Sequence, residues 1–394
     1  MKKTDILNPF ILSADIPDSY FCDRQEDTDS LLMRVKSGNN VVLMSPRRMG
    51  KSGLIHHLFS RPEIKKDYNT FYVDIYETGS LQELIQKLGQ EIVGKLSKTG
   101  FASLRRFLSM LTSLRGTFAL DPTTGFPTFS VGIGEIPSPE VTLEEIFSYL
   151  EGADKPCLVA IDEFQKIADY EQKNVEAILR SRIQMMHNTT FIFSGSERTV
   201  LSQMFLSYSR PFYQSASFVQ LKAINRDVYA GFAVRMFENY GKRLDKEAVY
   251  DLYDLMQGYT YYMHRTLNEA YPLMSAGSVC DKDFLFARID DILVSYSDAC
   301  QEILSGLTPN QRALMTAIAR EGRATEISSS AFISRHGLPS VSSMQSAARA
   351  LLKRQLISRN PENEYYLEDK FLELWLIRGL GITPAIRLEQ NRRR

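Results

Sequence analysis

Cysteine and histidine are scarce in this chain, with four and five among 394 residues. Cys22, Cys157, Cys280 and Cys300 stand far apart and form no Cys-x-x-Cys pair, so they read as free thiols of a reducing compartment. Only His56 and His57 are neighbours, and no zinc-ligand spacing results. No apolar run approaches the roughly 18 residues that a membrane helix needs. Met1 to Asp5 carries two lysines without a long apolar run behind them, so neither a membrane span nor a secretory signal is read, and the expected location is the cytoplasm. Net charge is also missing: 47 basic residues balance 47 acidic ones, which excludes a global field towards nucleic acid or anionic lipid. Repeats and low-complexity tracts are absent, and the only charge run is Arg392-Arg393-Arg394. What remains is 44% hydrophobic and 24% charged, an ordinary globular composition. At roughly 150 residues per domain, the length allows two or three domains.

The most informative segment runs from Asn40 through Val-Val-Leu-Met-Ser-Pro-Arg-Arg-Met to Gly50-Lys-Ser-Gly-Leu-Ile. A short apolar strand ends in a turn and reopens as an amphipathic helix from about Gly50. Such a turn converges backbone N–H groups on phosphate oxygens at a positively polarised helix N-terminus, with an ammonium reaching the terminal phosphates. Met49, Gly50, Lys51 and Ser52 supply those groups, while Pro46, which lacks an N–H, falls before them. The full expected nucleotide loop is Pro46, Arg47, Arg48, Met49, Gly50, Lys51, Ser52 and Gly53. One departure from Gly-x-x-x-x-Gly-Lys-[Ser/Thr] is Ser45 in place of the first glycine. Taken alone, the segment also fits a buried strand followed by a basic turn.

A second apolar run, Pro156-Cys-Leu-Val-Ala-Ile, ends in Asp162 and Glu163. At the C-terminal edge of a parallel sheet, such carboxylates suit Mg²⁺ ligation by Asp162, together with Ser52, and polarisation of an attacking water by Glu163. An Asp-Glu pair capping a helix is the alternative. Runs at Thr70 to Ile75, Thr189 to Phe193 and Phe218 to Leu221 bring the simplest count to five parallel strands. The fourth ends in Ser194-Gly195-Ser196, where a hydroxyl, Ser194 foremost, would sense the γ-phosphate or the water; a plain turn is the other reading. Residues 117–134 alternate around Asp121-Pro-Thr-Thr-Gly125 as a β-hairpin insertion.

From 223 to 305 the strand signal disappears, and Val228, Phe232 and Met236, then Val249, Leu252, Tyr253 and Met256, recur at helical spacing. Thr308-Pro309 opens a further unit of three helices and a hairpin, a winged helix over 306–380, with a basic tail at 381–394. The expected first domain is the α/β core, 1–222.

The chain resembles the archaeal-type ATPases of the AAA+/STAND group, P-loop NTPases in which the core is followed by a helical lid and a winged helix. The resemblance rests on Ser45-Pro-Arg-Arg-Met-Gly-Lys-Ser52, Ile161-Asp-Glu-Phe-Gln165 and Phe193-Ser-Gly-Ser196, and covers most of the chain. It implies the sheet order 5-1-4-3-2. It also implies that Tyr20-Phe-Cys-Asp-Arg24 lies against the adenine, with Phe21 and Arg24 as contacts and Asp23 where the family carries glycine. Thr260 stands where the STAND lid has proline.

The expected chemistry is ATP hydrolysis with Mg²⁺: Lys51 on the β- and γ-phosphates, Ser52 and Asp162 on the metal, Glu163 on the water. An arginine at the γ-phosphate would raise the rate, with Arg180, Arg182, Arg198 and Arg210 as candidates, acting within the chain or across a subunit contact. Three outputs stay open. The first is a nucleotide-driven switch acting on an unidentified protein partner or a second copy of the chain. The second is a DNA-acting ATPase that reads through the winged helix, and the third a nucleotide-binding scaffold without turnover. From residue 301 onward, 14 basic residues face 9 acidic ones, but three of the basic charges are the terminal arginines, which gives DNA little support. Arg349, Lys353 and Arg354 lie at helical spacing, opposite Ala348, Leu351 and Leu352.

Overall fold

The computed structural model describes residues 8–114, 119–120, 127–128, 136–360 and 362–393. It forms two compact units, one spanning Ser13–Lys222 and the other combining the described residues before Ser13 with those from Ala223 onward.

The first unit is built on five parallel strands: β1 Val41–Met44, β2 Asn69–Asp74, β3 Cys157–Asp162, β4 Thr189–Gly195 and β5 Ser217–Gln220. Their order is β2-β3-β4-β1-β5, which read from the other edge is the expected 5-1-4-3-2. Alternation along each strand divides the core. Val42, Met44, Val159, Ile161, Phe191 and Phe193 pack on one face with Leu84, Leu88 and Phe147. Val41, Leu43, Leu158, Ala160 and Ile192 pack on the other with Leu31, Leu54 and Leu58. A sheet covered on both faces requires apolar residues at every position, which is why β1 and β3 appear in the sequence as unbroken runs rather than alternations. Because the strands are parallel and in register, Met44 lies beside Gly195 and Asp74 beside Asp162, so their C-terminal ends share one edge. Ala119–Leu120 pairs antiparallel with Pro127–Thr128; the rest of the expected 117–134 hairpin lies outside the described residues.

The second unit opens its helical part with Arg226–Glu238, Lys246–Met256, Thr260–Leu273, Lys282–Ser295 and Ser297–Ser305. One finding departs from the sequence reading: Arg243–Leu244 and Val279–Cys280 form a short parallel pair. Two residues per strand are too few to leave a period-two pattern. Phe10 is fully buried and packs against Phe232, Phe237, His264 and Tyr271, its segment fixed by paired amides: Asn8 Nδ2 donates to Asn268 O at 2.8 Å and Asn268 Nδ2 to Phe10 O at 2.8 Å.

The winged helix follows as Pro309–Glu321, Ser330–His336 and Val341–Lys353, then the antiparallel strands β6 Ile357–Arg359 and β7 Tyr365–Leu367 and the helix Lys370–Arg378. Thr308 and Gln311 close a full capping box at the start of its first helix. The segment expected as a basic tail is helical over Pro384–Arg392. Arg387, 1% exposed, donates to the carbonyls of Ala319 and Arg320 at the C-terminal end of Pro309–Glu321 and lies beside the buried Lys370–Glu373 ion pair. A cation at a helix C-terminus answers carbonyls left without partners. No helix among the described residues is long and apolar enough to cross a membrane.

Candidate active site

The loop between β1 and the helix Lys51–Ser60 (α2) is shaped by two left-handed residues, Arg48 at φ 64° and Gly50 at φ 94°. Gly50 is the N-cap, and a Cβ there would meet nothing within 4 Å, so its glycine answers a backbone requirement and not a lack of room. Lys51, 6% exposed, turns its Nζ back over the loop, 3.3 Å from Ser45 O and 3.5 Å from Pro46 O. The ammonium thus lies over the loop that leads into the N-terminus of α2, where phosphates would be cradled.

Ser45 is fully buried, does not adopt positive φ, and donates its hydroxyl to Pro46 O at 2.9 Å. The turn therefore places no demand for glycine at this position. Ser45→Gly is expected to change nucleotide affinity and turnover less than about threefold, since it costs only some backbone freedom. A large gain in either on titration and steady-state assay would show that serine impairs the loop.

Upstream, Asp23 and Arg24 both take positive φ, 57° and 69°. A glycine makes that turn without strain, which accounts for the family preference; aspartate is among the residues that tolerate it. Arg24 is 6% exposed and braces the loop: Nη2 donates to Met49 O at 3.2 Å and Nη1 to Lys222 O at 2.6 Å, with Asp27 Oδ2 at 3.1 Å. Phe21 stacks on His57, ring centroids 4.1 Å apart, beside Gly53.

Asp162, 4% exposed, has both oxygens engaged. Oδ2 accepts from Ser52 Oγ at 2.8 Å and Tyr72 OH at 2.5 Å; Oδ1 accepts from Ser194 Oγ and from Glu163 N at 3.0 Å. Burial pushes this carboxyl's pKa up, yet the bonds from Ser194 and Tyr72, the Lys51 charge and the Ser52 bond together hold it below the ordinary value. Burial and the facing Asp162 raise the Tyr72 phenol in turn, keeping it a donor.

Glu163 is half-buried and left-handed, φ 57° and ψ 38°. Its Oε2 accepts from Gln165 Nε2 at 2.5 Å and Ser196 Oγ at 2.9 Å, and Ser196 Oγ accepts from Arg47 Nε at 3.2 Å. Gln165 is buried against Gly195, where a Cβ would lie 2.0 Å from Gln165 Oε1 and 2.7 Å from Leu201 Cδ1. Gly195→Ala must therefore displace the amide that holds Glu163. The expected result is a loss of ~1–3 kcal/mol in stability from overpacking, with a fall in any turnover; unchanged melting and activity would contradict it.

The structure brings Lys51, Ser52, Asp162, Glu163 and Ser194 to one sheet edge, with Ser194 directed at Asp162. It does not gather the four arginines. Arg182 pairs with Glu144 at 2.9 Å and Arg210 with Glu176, Arg180 is half-buried on the helix Val175–Ile183, and Arg198 opens the helix Arg198–Leu206 with its side chain outside the described residues. Sequence reasoning missed Tyr72 and Gln165. Tyr72 sits inside a run that reads only as apolar strand, whereas Gln165, two places after Glu163, was within the motif itself.

A family model described as an ATPase domain predominantly from Archaea matches residues 21–265. The chain belongs to this archaeal ATPase family. The matched range holds the loop, both carboxylates, and Ser194 and Ser196 at the end of β4. A second model, described as "probable winged helix domain", matches residues 298–378 of this ATPase. No curated protein matches the sequence. Among solved structures, a Walker-type ATPase of Pyrococcus abyssi is similar at 18% identity and TM-score 0.64, covering 93% of this chain and 99% of that one. The ORC2 protein of Aeropyrum pernix, with ADPNP and ADP, is similar at 14% identity and TM-score 0.56, covering 91% and 94%. At these identities the likeness establishes the fold of the ATPase: a P-loop core followed by helices and a winged helix.

Proposed function

We propose that the chain is a Mg²⁺-dependent ATP hydrolase that uses its nucleotide state as a switch. The observation that carries the reading is the meeting of Lys51, Ser52, Asp162 and Glu163 at the C-terminal edge of the sheet. There, Lys51 and the N–H groups of Met49 to Ser52 bind the β- and γ-phosphates, with Phe21 against the adenine and Arg24 bracing the loop.

Ser52 and Asp162 fit a magnesium ion, offering two hard oxygens side by side. Among the described residues no set of three or more His, Cys, Asp or Glu could hold a metal, which suits an ion that takes one or two protein oxygens and completes its shell with water and phosphate. Bound there, magnesium would neutralise phosphate charge. Tyr72 and Ser194 keep Asp162 ionised and oriented.

Glu163, held by Gln165 and Ser196, polarises the water. The water oxygen bonds to the γ-phosphorus as the bond from that phosphorus to the bridging oxygen breaks. One water proton stays on the released phosphate, and the other passes to Glu163 and on to solvent.

The switch reading is supported by the way lid and winged helix join within one unit. Tyr262 OH donates to Glu368 O at 3.2 Å and Trp375 Nε1 to Ser297 Oγ at 3.3 Å, and the following helix Pro384–Arg392 adds Asn391 Nδ2 to Asp254 O at 3.2 Å. A change felt by the lid is thereby passed to the winged helix, and an unidentified protein or a second copy of the chain would receive it. Comparing amide hydrogen exchange over residues 223–393 with ADP and with ADPNP tests this, and identical protection would contradict it.

The winged helix suits docking better than DNA reading. On Val341–Lys353 and its C-cap, Arg349 Nη2 donates to Ser346 Oγ at 3.3 Å and Arg354 Nη1 to Gly306 O at 2.6 Å. Duplex DNA is expected to bind weakly, with little change on Arg349→Ala, Lys353→Ala. Tight binding that falls roughly 10³-fold or more between about 50 and 200 mM salt, and is lost in that variant, would overturn the preference.

A further inference from the structure

Arg24 is held rigidly at its backbone. It takes φ 69° just before the helix Gln25–Lys36, and the fully buried Thr28 donates to Arg24 O from its amide at 2.8 Å and from Oγ1 at 2.7 Å. From that mount the guanidinium joins two backbone carbonyls far apart in sequence. Nη2 donates to Met49 O in the phosphate loop at 3.2 Å and Nη1 to Lys222 O at 2.6 Å, with Asp27 Oδ2 3.1 Å from Nη1. A planar fork suits this task, because its donors point in fixed directions where an ammonium is a point charge on a flexible stem.

Met49 O and the Gly50 N–H belong to one trans peptide, in which carbonyl and amide point in opposite directions. Holding Met49 O therefore turns the Gly50 N–H to the side away from Arg24. Gly50, at φ 94°, lies in a region that glycine enters and leaves freely, so its own preference does not lock that peptide. Lys222 is the last residue of the first unit, and the chain continues into the second at Ala223. Just before it, Leu221 N donates to Met44 O at 2.9 Å, where β1 leads into the phosphate loop. The end of the core is thus tied to both ends of that loop, by Leu221 at Met44 and by Arg24 at Met49.

We propose that Arg24 is a positioning residue that sets the Met49–Gly50 peptide for phosphate and, through the same guanidinium, couples the occupancy of the loop to Lys222, where the chain leaves the core. The inference rests on the ATPase reading above. In this role Arg24 acts on the phosphates through the loop and not on the adenine. Phosphate on the Gly50 N–H strengthens the setting of the peptide, the peptide fixes Met49 O, and Arg24 carries that constraint to Lys222 O.

The test compares the parent, Arg24→Lys and Arg24→Ala in the full chain, by ADPNP affinity and by amide hydrogen exchange over residues 45–53 and 217–222, with and without ADPNP at concentrations that saturate each variant. In the parent, ADPNP is expected to slow exchange in both segments. Both variants are expected to bind ADPNP roughly 10-fold or more weakly, the worth of a charged hydrogen bond. At saturation the phosphates set the peptide unaided, so 45–53 is still protected while 217–222 no longer responds. Arg24→Lys keeps the charge beside Asp27 and the buried stem, which guards against misfolding. A purely structural residue or an adenine contact would leave the response at 217–222 intact once nucleotide is saturating. That response in Arg24→Lys, or parental ADPNP affinity in it, would overturn the proposal. A parent in which ADPNP protects 45–53 and leaves 217–222 unchanged overturns the inference alone, whatever the variants do; a parent that fails to bind ADPNP overturns the ATPase reading with it.

Discussion

Glu163→Gln is expected to bind ATP as tightly as the parent and to hydrolyse it at least ~10²-fold more slowly, the usual worth of a positioned general base. The amide keeps the shape of the side chain, and its oxygen can still accept from Gln165 and Ser196, which now hold Oε2. What disappears is the charge that, in the proposed role, draws the proton from water. The left-handed backbone at Glu163 is tolerated as well by glutamine as by glutamate, so the fold is expected to persist. Single-turnover hydrolysis beside equilibrium binding separates the two effects. Parental turnover in this variant would remove the role from Glu163.

Lys51→Ala has the other large effect, and on a different quantity. Lys51 is buried, and its ammonium turns back over the loop towards Ser45 O and Pro46 O, beside the Asp162 charge. In the proposed role that ammonium acts on phosphate charge rather than on apolar packing. Charged hydrogen bonds of ~1.5–3 kcal/mol correspond to a loss of roughly 10- to 10²-fold in ATP affinity for each lysine bond removed. The thermal midpoint of the nucleotide-free protein is expected to move by only a few degrees. A folded Lys51→Ala that binds ATP normally would place the phosphates elsewhere.

The parts of the site that lie in consecutive residues were legible in the sequence. Gly50, Lys51 and Ser52 could be placed at a helix start, and Asp162 and Glu163 at a strand end, because both a phosphate loop and a buried parallel strand impose a local pattern. The order of the five strands was available only through the family resemblance, since spacing does not say which strand enters between β1 and β3. What the sequence hid is mostly long-range. Tyr72 meets Asp162 across 90 positions and Arg47 meets Ser196 across 149, and no periodicity records such contacts. The arginine candidates illustrate the same limit. Arg182 and Arg210 looked equivalent to any other cation until Glu144 and Glu176 were found against them. Arg387 was hidden for another reason: a cation in a basic C-terminal stretch reads as solvated, yet it is buried as the cap of a helix more than sixty residues away.

Glu163 and Lys51 act together only if the chain turns ATP over, and phosphate release by the purified full chain measures that directly. Release from ATP should require Mg²⁺ and stop on chelation. It should fall by at least ~10²-fold in Glu163→Gln while that variant still retains bound ATP. Bound ATP without phosphate release from the parent, or release that persists equally with chelator and in Glu163→Gln, would contradict the account.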